Sequence, residues 1–492
     1  MLSTIQSFTL EGIAAKAVRI EVDVHRGLPG FAIVGLPDAA VRETRERVRA
    51  AIVNSGFEFP LWRIVVNLAP ASLRSASPGL DLAIAAALLA ASGQVDADHL
   101  ASFAFLGELG LDGSVRTTAG ALPAAEAARE AGRAGIVVAG ESGPEAALAE
   151  GIDVVPVETL AQLPQIDVQR RPAAPAPAAF APELGPNAPD LADLRGQPQL
   201  HRALEVAAAG SHSLLMVGAA GSGKSLAAAR LPGILPPLSR TEALEVARVA
   251  SPSGRFAAGV PYGRPFRAPH HTISAAGLLG GGRPPCAGEL TLAHRGVLFL
   301  DHLADFRRDA LAELRPVLEC GSVCIRKGPR SLILPARVLV VAAAEGCPCG
   351  RGPADPECPC NPAAVSRYRE RLTQTPPAPF DLTIPVEPPS AAEIAEPRGE
   401  ESARVRERVS AARAAQESRL GVGRCNARMS FAELRACGLD RKASLLLSRD
   451  GDPHALAPAV RLARTIADLQ GDELVAGAHI AEALGLRSAA RL

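Results

Sequence analysis

Aromatic side chains are scarce, at 3% of 492 residues, so any core must be filled by Ala, Val, Leu and Ile, which dominate the 48% hydrophobic fraction. A surplus of charge is missing as well. Lys+Arg and Asp+Glu each number 52, which excludes a global pull toward nucleic acid or an acidic membrane and leaves such contacts to local patches. Met1–Ser7 lacks a basic segment followed by an apolar one, the mark of a secretory leader. The longest apolar run, Leu82–Ala91, is too short to span a bilayer and reads as a buried helix, so no membrane partner is expected. Cysteine is sparse but uneven. Of nine, four fall within Cys347–Cys360, a clustering that suits a metal site in a reducing compartment better than a disulfide framework. The expectation is a soluble cytoplasmic protein of more than one domain, given roughly 100–200 residues per domain.

What is present divides into four stretches. Residues 1–165 mix strand-like segments (Val18–Val24, Arg63–Leu68, Phe103–Leu111) with Ala-rich helical ones (Asp38–Ser55, Asp81–Ser92, Leu122–Ala131). Residues 166–189 are rich in Pro and Ala and read as a semi-rigid linker. Residues 190–388 run helix, strand, Gly-rich loop, helix and further buried strands, an α/β order. Residues 389–492 are helical at Ser390–Leu420, Ser430–Ser448, Leu456–Leu469 and Ala476–Leu484, as a small all-helical lid would be.

The chemistry begins after the apolar strand Ser213–Val217. Gly218, Ala219, Ala220, Gly221, Ser222, Gly223, Lys224 and Ser225 fit G-x-x-x-x-G-K-[ST]. Such a loop folds into a nest of N–H groups facing phosphates. Lys224 supplies charge to the β- and γ-phosphates and Ser225 a hydroxyl to Mg²⁺. A helix is expected over Ser225–Leu231, stopped by Pro232-Gly233. A second apolar strand, Val297–Leu300, ends in Asp301, which has the Walker B character of a carboxylate orienting Mg²⁺ from a neighbouring strand tip. A third, Val338–Ala344, ends at Glu345. Together these predict binding of Mg·ATP.

At these residues the chain resembles the magnesium-chelatase-like AAA+ family, in its YifB/ComM branch. The likeness covers nearly the whole length and includes Gly35-Leu36-Pro37-Asp38, Asp190–Gln197, Pro265–Ser274, Gly288–Asp301, Cys347-Pro348-Cys349-Gly350 and Arg464–Leu469. It implies a Lon-protease-like α+β N-terminal domain, an AAA+ P-loop α/β core and a helical C-terminal lid. It also implies assembly into a hexameric ring, or a mixed ring with a paralogue, acting in DNA branch migration during transformation. Arg464 matches the lid position expected to reach the nucleotide, with Arg461 a weaker candidate. Departures from the family pattern fall on the hydrolytic positions. His302 replaces the glutamate after Asp301, Glu345 replaces an asparagine, and Pro379 stands where an arginine finger is expected. The family's double proline in the P-loop reads Ala219-Ala220 here. The resemblance therefore implies nucleotide binding with impaired hydrolysis, in a DNA motor, a nucleotide-sensing scaffold or a chelatase-type subunit. A Ser–Lys peptidase in the first domain is not expected. Leu122 occupies the lysine position, which leaves Ser72, Ser75 and Ser77 without a base.

Two further features stand out. Cys347, Cys349, Cys358 and Cys360 offer four thiolates in a Pro/Gly-rich loop, the donor set of a closed tetrahedral Zn²⁺ site, the alternative being four reduced thiols. Basic residues gather in Ser251–Pro285 (Arg255, Arg264, Arg267, His270, His271, Arg283) and in the hairpin-like Gly321–Pro335 (Arg326, Lys327, Arg330). Either segment could meet DNA phosphates, or be a solvated basic surface. His270 and His271 would point to opposite faces if extended, which argues against joint metal ligation.

Overall fold

The computed structural model describes the chain except residues 35–37, 71–77, 167–188, 255–262, 283–284, 328–329, 352–356, 375–379, 396–397, 449–452 and 489–492. Two compact units emerge. One comprises the described residues of 1–180, 239–261 and 281–287, the other those of 181–238, 262–280 and 288–492.

In the first unit the strands are β1 (Leu2–Glu11), β2 (Ala14–His25), β3 (Gly30–Val34), β4 (Arg63–Ala69), β5 (Phe103–Leu106), β6 (Gly135–Ala139) and β7 (Asp153–Val157). They form one sheet ordered β3-β4-β2-β1-β5-β6-β7. Period-2 burial runs through β2, where Val18, Ile20, Val22 and Val24 face inward. The apolar run is a helix, Asp81–Ala91, buried at every residue and packed against β1 and β2. Its Asp81 is paired with Arg47 at 2.7 Å. The expected strand Phe103–Leu111 breaks after Leu106, because the Gly107 N–H turns aside to donate to Gly79 O. Helix Arg240–Ala250, expected to lie in the P-loop domain, belongs to this unit. Arg248 grips Glu126 with two guanidinium nitrogens, and Ser251 donates to the buried carboxylate of Glu145.

The second unit is built on a parallel sheet of β8 (Leu214–Val217), β9 (Phe266–Arg267), β10 (Val297–Leu300), β13 (Leu339–Ala344) and β14 (Leu382–Pro385), with β11 (Ser322–Lys327) and β12 (Arg330–Pro335) forming a separate antiparallel hairpin. The sheet order is β9-β10-β13-β8-β14. Both faces are covered. Leu214, Met216, Phe299, Val341 and Ile384 pack on one side, and Leu215, Val217, Leu298, Leu300 and Val340 on the other.

The C-terminal region is all helical among the described residues from Ala391 on, apart from short connections. Its helices are Ala391–Ala395, Ser402–Leu420, Phe431–Ala436, Arg441–Ser448, Pro453–Gln470 and Gly477–Ser488. The expected helix Ser430–Ser448 splits at Cys437-Gly438, where the backbone of 438–440 bonds instead to Val475. These helices share one core with the sheet: Leu462, Ile466 and Ile480 cluster with Leu204, Leu214 and Leu382. Among the described residues no helix is long and apolar enough to cross a membrane.

Candidate nucleotide site

β8 delivers the Gly-rich loop at the carboxyl edge of the parallel sheet, where ligands of such sheets bind. Gly218 is required there by contact. A Cβ at this position would stand 1.9 Å from Val386 O, and its N–H donates to Ala344 O at 3.1 Å. Lys224 is nearly buried and closes the loop, its Nζ donating to Gly218 O at 2.9 Å and Ala219 O at 2.8 Å. Burial lowers its pKa from the ordinary lysine value, and the Glu345 and Asp301 carboxylates oppose that fall. The helix after the loop is shorter than expected, Lys224–Ala228. Pro232-Gly233 does not stop it but sits inside the next short helix, Leu231–Ile234, whose first turn tolerates proline.

The two residues expected on Mg²⁺ are brought together. Ser225 Oγ donates to Asp301 Oδ2 at 2.8 Å, although the two lie 76 positions apart. Asp301 does not come from the strand beside the loop, as expected, because β13 is inserted between β8 and β10. That insertion carries Glu345 to the same edge. His302, in the left-handed region at φ 54°, places Nδ1 3.0 Å from Glu345 Oε1 and donates its N–H to Asp301 Oδ1. Tyr368 Oη lies 3.5 Å from Glu345 Oε2, and burial together with that carboxylate pushes its pKa up.

Sequence reasoning missed Tyr368, and it placed His271 only in a basic segment, whereas its ring meets that of His302 edge-on with centroids 6.3 Å apart. His270 and His271 do not diverge either. Their rings are 4.1 Å apart, since β9 ends at Arg267 and the extended geometry ends with it. Also missed was Gln197, which donates to Ser222 O at 3.0 Å and to Glu387 O. It ties the Asp190–Gln197 stretch to the loop beside a cleft of about 640 Å³ lined by Leu194, Arg195, His201, Glu205 and Arg408.

Other expected residues are engaged elsewhere. Arg464 is 3% exposed, and its guanidinium donates to Asp468 Oδ1 and to the carbonyls of Asp472 and Glu473, within the C-terminal helical region. Arg461 donates to Met429 O. Arg264 is spent on the carbonyls of Pro236 and Arg295, and Arg267 forms a two-pronged pair with Glu289, so neither is a free phosphate contact. In the hairpin Arg326 is exposed, while the side chains of Lys327 and Arg330 are not among those described. Pro379, Gly35-Leu36-Pro37, Ser72, Ser75, Ser77, Arg255 and Arg283 lie outside the described residues. Leu122 is buried, with its N–H on Glu145.

The four cysteines converge. The sulfurs of Cys347, Cys349, Cys358 and Cys360 all lie within 4.8 Å of one another, with Cys347–Cys349 at 3.1 Å and Cys349–Cys358 at 3.4 Å. Sulfurs each about 2.3 Å from a common tetrahedral Zn²⁺ would be similarly spaced, so the donor set fits that ion. The thiols share charge unevenly: the Cys347 thiol and the Arg351 N–H hold the Cys349 pKa down to about 6, burial and Cys349 push that of Cys360 up, and that of Cys358 rises to about 12.

A parallel sheet with a phosphate loop at its edge, and a Ser–Asp pair beside that loop, define a P-loop protein of the AAA+ kind. Comparison with known proteins carries this further. The family models described as "Magnesium chelatase, subunit ChlI", "Subunit ChlI of Mg-chelatase" and "Magnesium chelatase, subunit ChlI C-terminal" match residues 190–394, 20–142 and 399–487. The competence protein ComM of Haemophilus influenzae is 38% identical over 100% of this chain and 98% of its own length. YifB of Salmonella typhimurium is 39% identical over 98% and 96%, and an uncharacterized protein of Mycobacterium tuberculosis is 40% identical over 98% and 97%. The chain belongs to the magnesium-chelatase-like family, in its ComM/YifB group.

Proposed function

We propose that the chain binds Mg·ATP at Gly218–Ser225 and Asp301, hydrolyses it slowly, and acts on DNA as a hexameric or mixed ring. The Ser225–Asp301 hydrogen bond carries the nucleotide reading, because it sets a hydroxyl and a carboxylate together next to Lys224. The cleft along Asp190–Gln197 offers room for base and sugar. Arg464 would have to leave Asp468 to reach the nucleotide from the lid. Slow hydrolysis follows from His302 in the usual base position and Pro379 in the finger position. Positioned general-base action is worth ~10²–10⁴ in rate and an arginine finger ~10³–10⁵. The DNA reading rests on the resemblance and on the basic hairpin. The Lon-protease-like fold of the first domain and Zn²⁺ at Cys347, Cys349, Cys358 and Cys360 complete the proposal.

A second reading, a nucleotide-sensing scaffold partnering an active paralogue, draws on the same His302–Glu345 pair. Binding of a fluorescent ATP analogue should be lost in Lys224→Ala, and undiminished binding there would refute the site. Steady-state turnover with and without branched DNA separates the two readings. Stimulation by DNA supports the motor, and silence under both conditions supports the scaffold. Turnover of one per second or faster without DNA, abolished by Lys224→Ala, would overturn slow hydrolysis.

A further inference from the structure

The phosphate loop and the cysteine loop share a backbone hydrogen bond. Ala220, the third residue of the phosphate loop, donates its N–H to Gly350 O at 2.8 Å. Gly350 directly follows Cys349, and its own N–H closes a turn onto Cys347 O at 3.0 Å. Its φ of +82° is one that residues with a Cβ rarely adopt. A Cβ there would lie 3.8 Å from both Ala220 Cβ and Glu345 Cγ, so this peptide fills the space between phosphate loop and carboxylate. The same β13 terminus also receives the Gly218 N–H at Ala344 O. One wall of the phosphate loop is therefore carried by the turn of residues 347–350, which holds two of the four cysteines.

We propose that metal occupancy of the four-cysteine site sets the nucleotide affinity of the phosphate loop through the Ala220–Gly350 hydrogen bond, an inference that rests on the zinc and ATP readings above. Cys347, Cys349, Cys358 and Cys360 would hold a Zn²⁺, which would fix the turn whose Gly350 carbonyl accepts from Ala220. Release of the metal frees that carbonyl, and the loop loses its preorganisation for phosphate.

The test uses the full chain purified without chelator, with zinc measured by elemental analysis. Affinity for a fluorescent ATP analogue is measured in excess Mg²⁺, before stripping with a zinc-selective chelator, after stripping, and after zinc is returned. The expected result is about one zinc per chain, as four thiolates closing one site require. Affinity should fall about fivefold or more on stripping, the change one net hydrogen bond supports, and recover on reloading. Ala220→Pro should keep its zinc and show an affinity indifferent to stripping. Zinc present with equal affinity in loaded and stripped protein, or Ala220→Pro responding like the wild type, overturns the coupling and leaves the metal site standing. Absence of zinc overturns the metal site and the coupling together. No nucleotide binding by the loaded protein overturns the ATP reading and the coupling with it. Circular dichroism of the stripped protein completes the set, because global unfolding would show the metal acting on the whole domain rather than through this bond.

Discussion

Asp301 and His302 are adjacent in sequence but meet different demands. Asp301 faces Ser225, as a Mg²⁺-orienting carboxylate does. His302, in a left-handed conformation, swings its ring to Glu345. An imidazole offers one ring nitrogen where a carboxylate offers two equivalent oxygens, and the His302 Nδ1 is already engaged with Glu345. Replacing His302→Glu together with Glu345→Asn removes that engagement and returns a carboxylate to the strand end. Turnover, read by phosphate release, should rise ~10²-fold. Glu345→Gln alone should leave turnover unchanged, and a collapse in that variant would identify Glu345 as the base. The phosphate loop and Asp301 were legible in the sequence because strand, loop and terminal carboxylate are local patterns. Arg264, Arg267 and Arg464 were not. Their partners, the Pro236 and Arg295 carbonyls, Glu289 and Asp468, depend on how distant or adjacent turns pack, and a list of charges does not reveal whether a guanidinium faces water or a carbonyl.

At the scale of elements, the hairpin β11–β12 was read from its residues and is present, in register from Ser322↔Pro335 to Lys327↔Arg330. Among the described arginines of the two basic segments, Arg326 of this hairpin is exposed. Neutralising Arg326, Lys327 and Arg330 together should weaken binding to single-stranded or branched DNA at low salt. The slope of log affinity against log salt should become shallower by about two to three, near 0.7–0.9 for each phosphate left without its cation. An unchanged slope would remove the hairpin from the interface. Element boundaries were less legible. Gly107 and Gly438 each end an expected element through hydrogen bonds to Gly79 and Val475, partners that lie far beyond any local sequence window.

Across the whole molecule, the C-terminal helices are fastened to the phosphate-loop sheet by polar contacts as well as by the common core. Asp381 accepts from the Ser213 N–H and Oγ and faces His212 Nδ1 at 3.7 Å, while His212 Nε2 lies 2.8 Å from Thr465 Oγ1 of the C-terminal helices. Burial works to raise the Asp381 pKa, but His212 and the Ser213 donors outweigh it and hold it below the ordinary carboxylate value. A depressed folded pKa gives stability that is present above the unfolded value, near 4, and is lost as pH falls through the folded one. Thermal midpoints should therefore drop below pH 4 in the wild type. In Asp381→Asn the protein should be weaker at pH 7 by ~1–3 kcal/mol and lose less on acidification. Parallel acid profiles for the two proteins would refute this role.

Helix Arg240–Ala250 has a consequence of a different kind. The chain leaves the P-loop unit, lays this helix into the N-terminal unit and then returns to form β9. The two units are therefore stitched, not strung. A cut between residues 166 and 189 would yield two polypeptides, with the larger still supplying a structural part of the smaller. The N-terminal piece made by itself would lack partners its fold uses, leaving Glu126 and Glu145 without Arg248 and Ser251. A division of the chain that respects both units therefore has to keep residues 239–261 and 281–287 with the N-terminal unit.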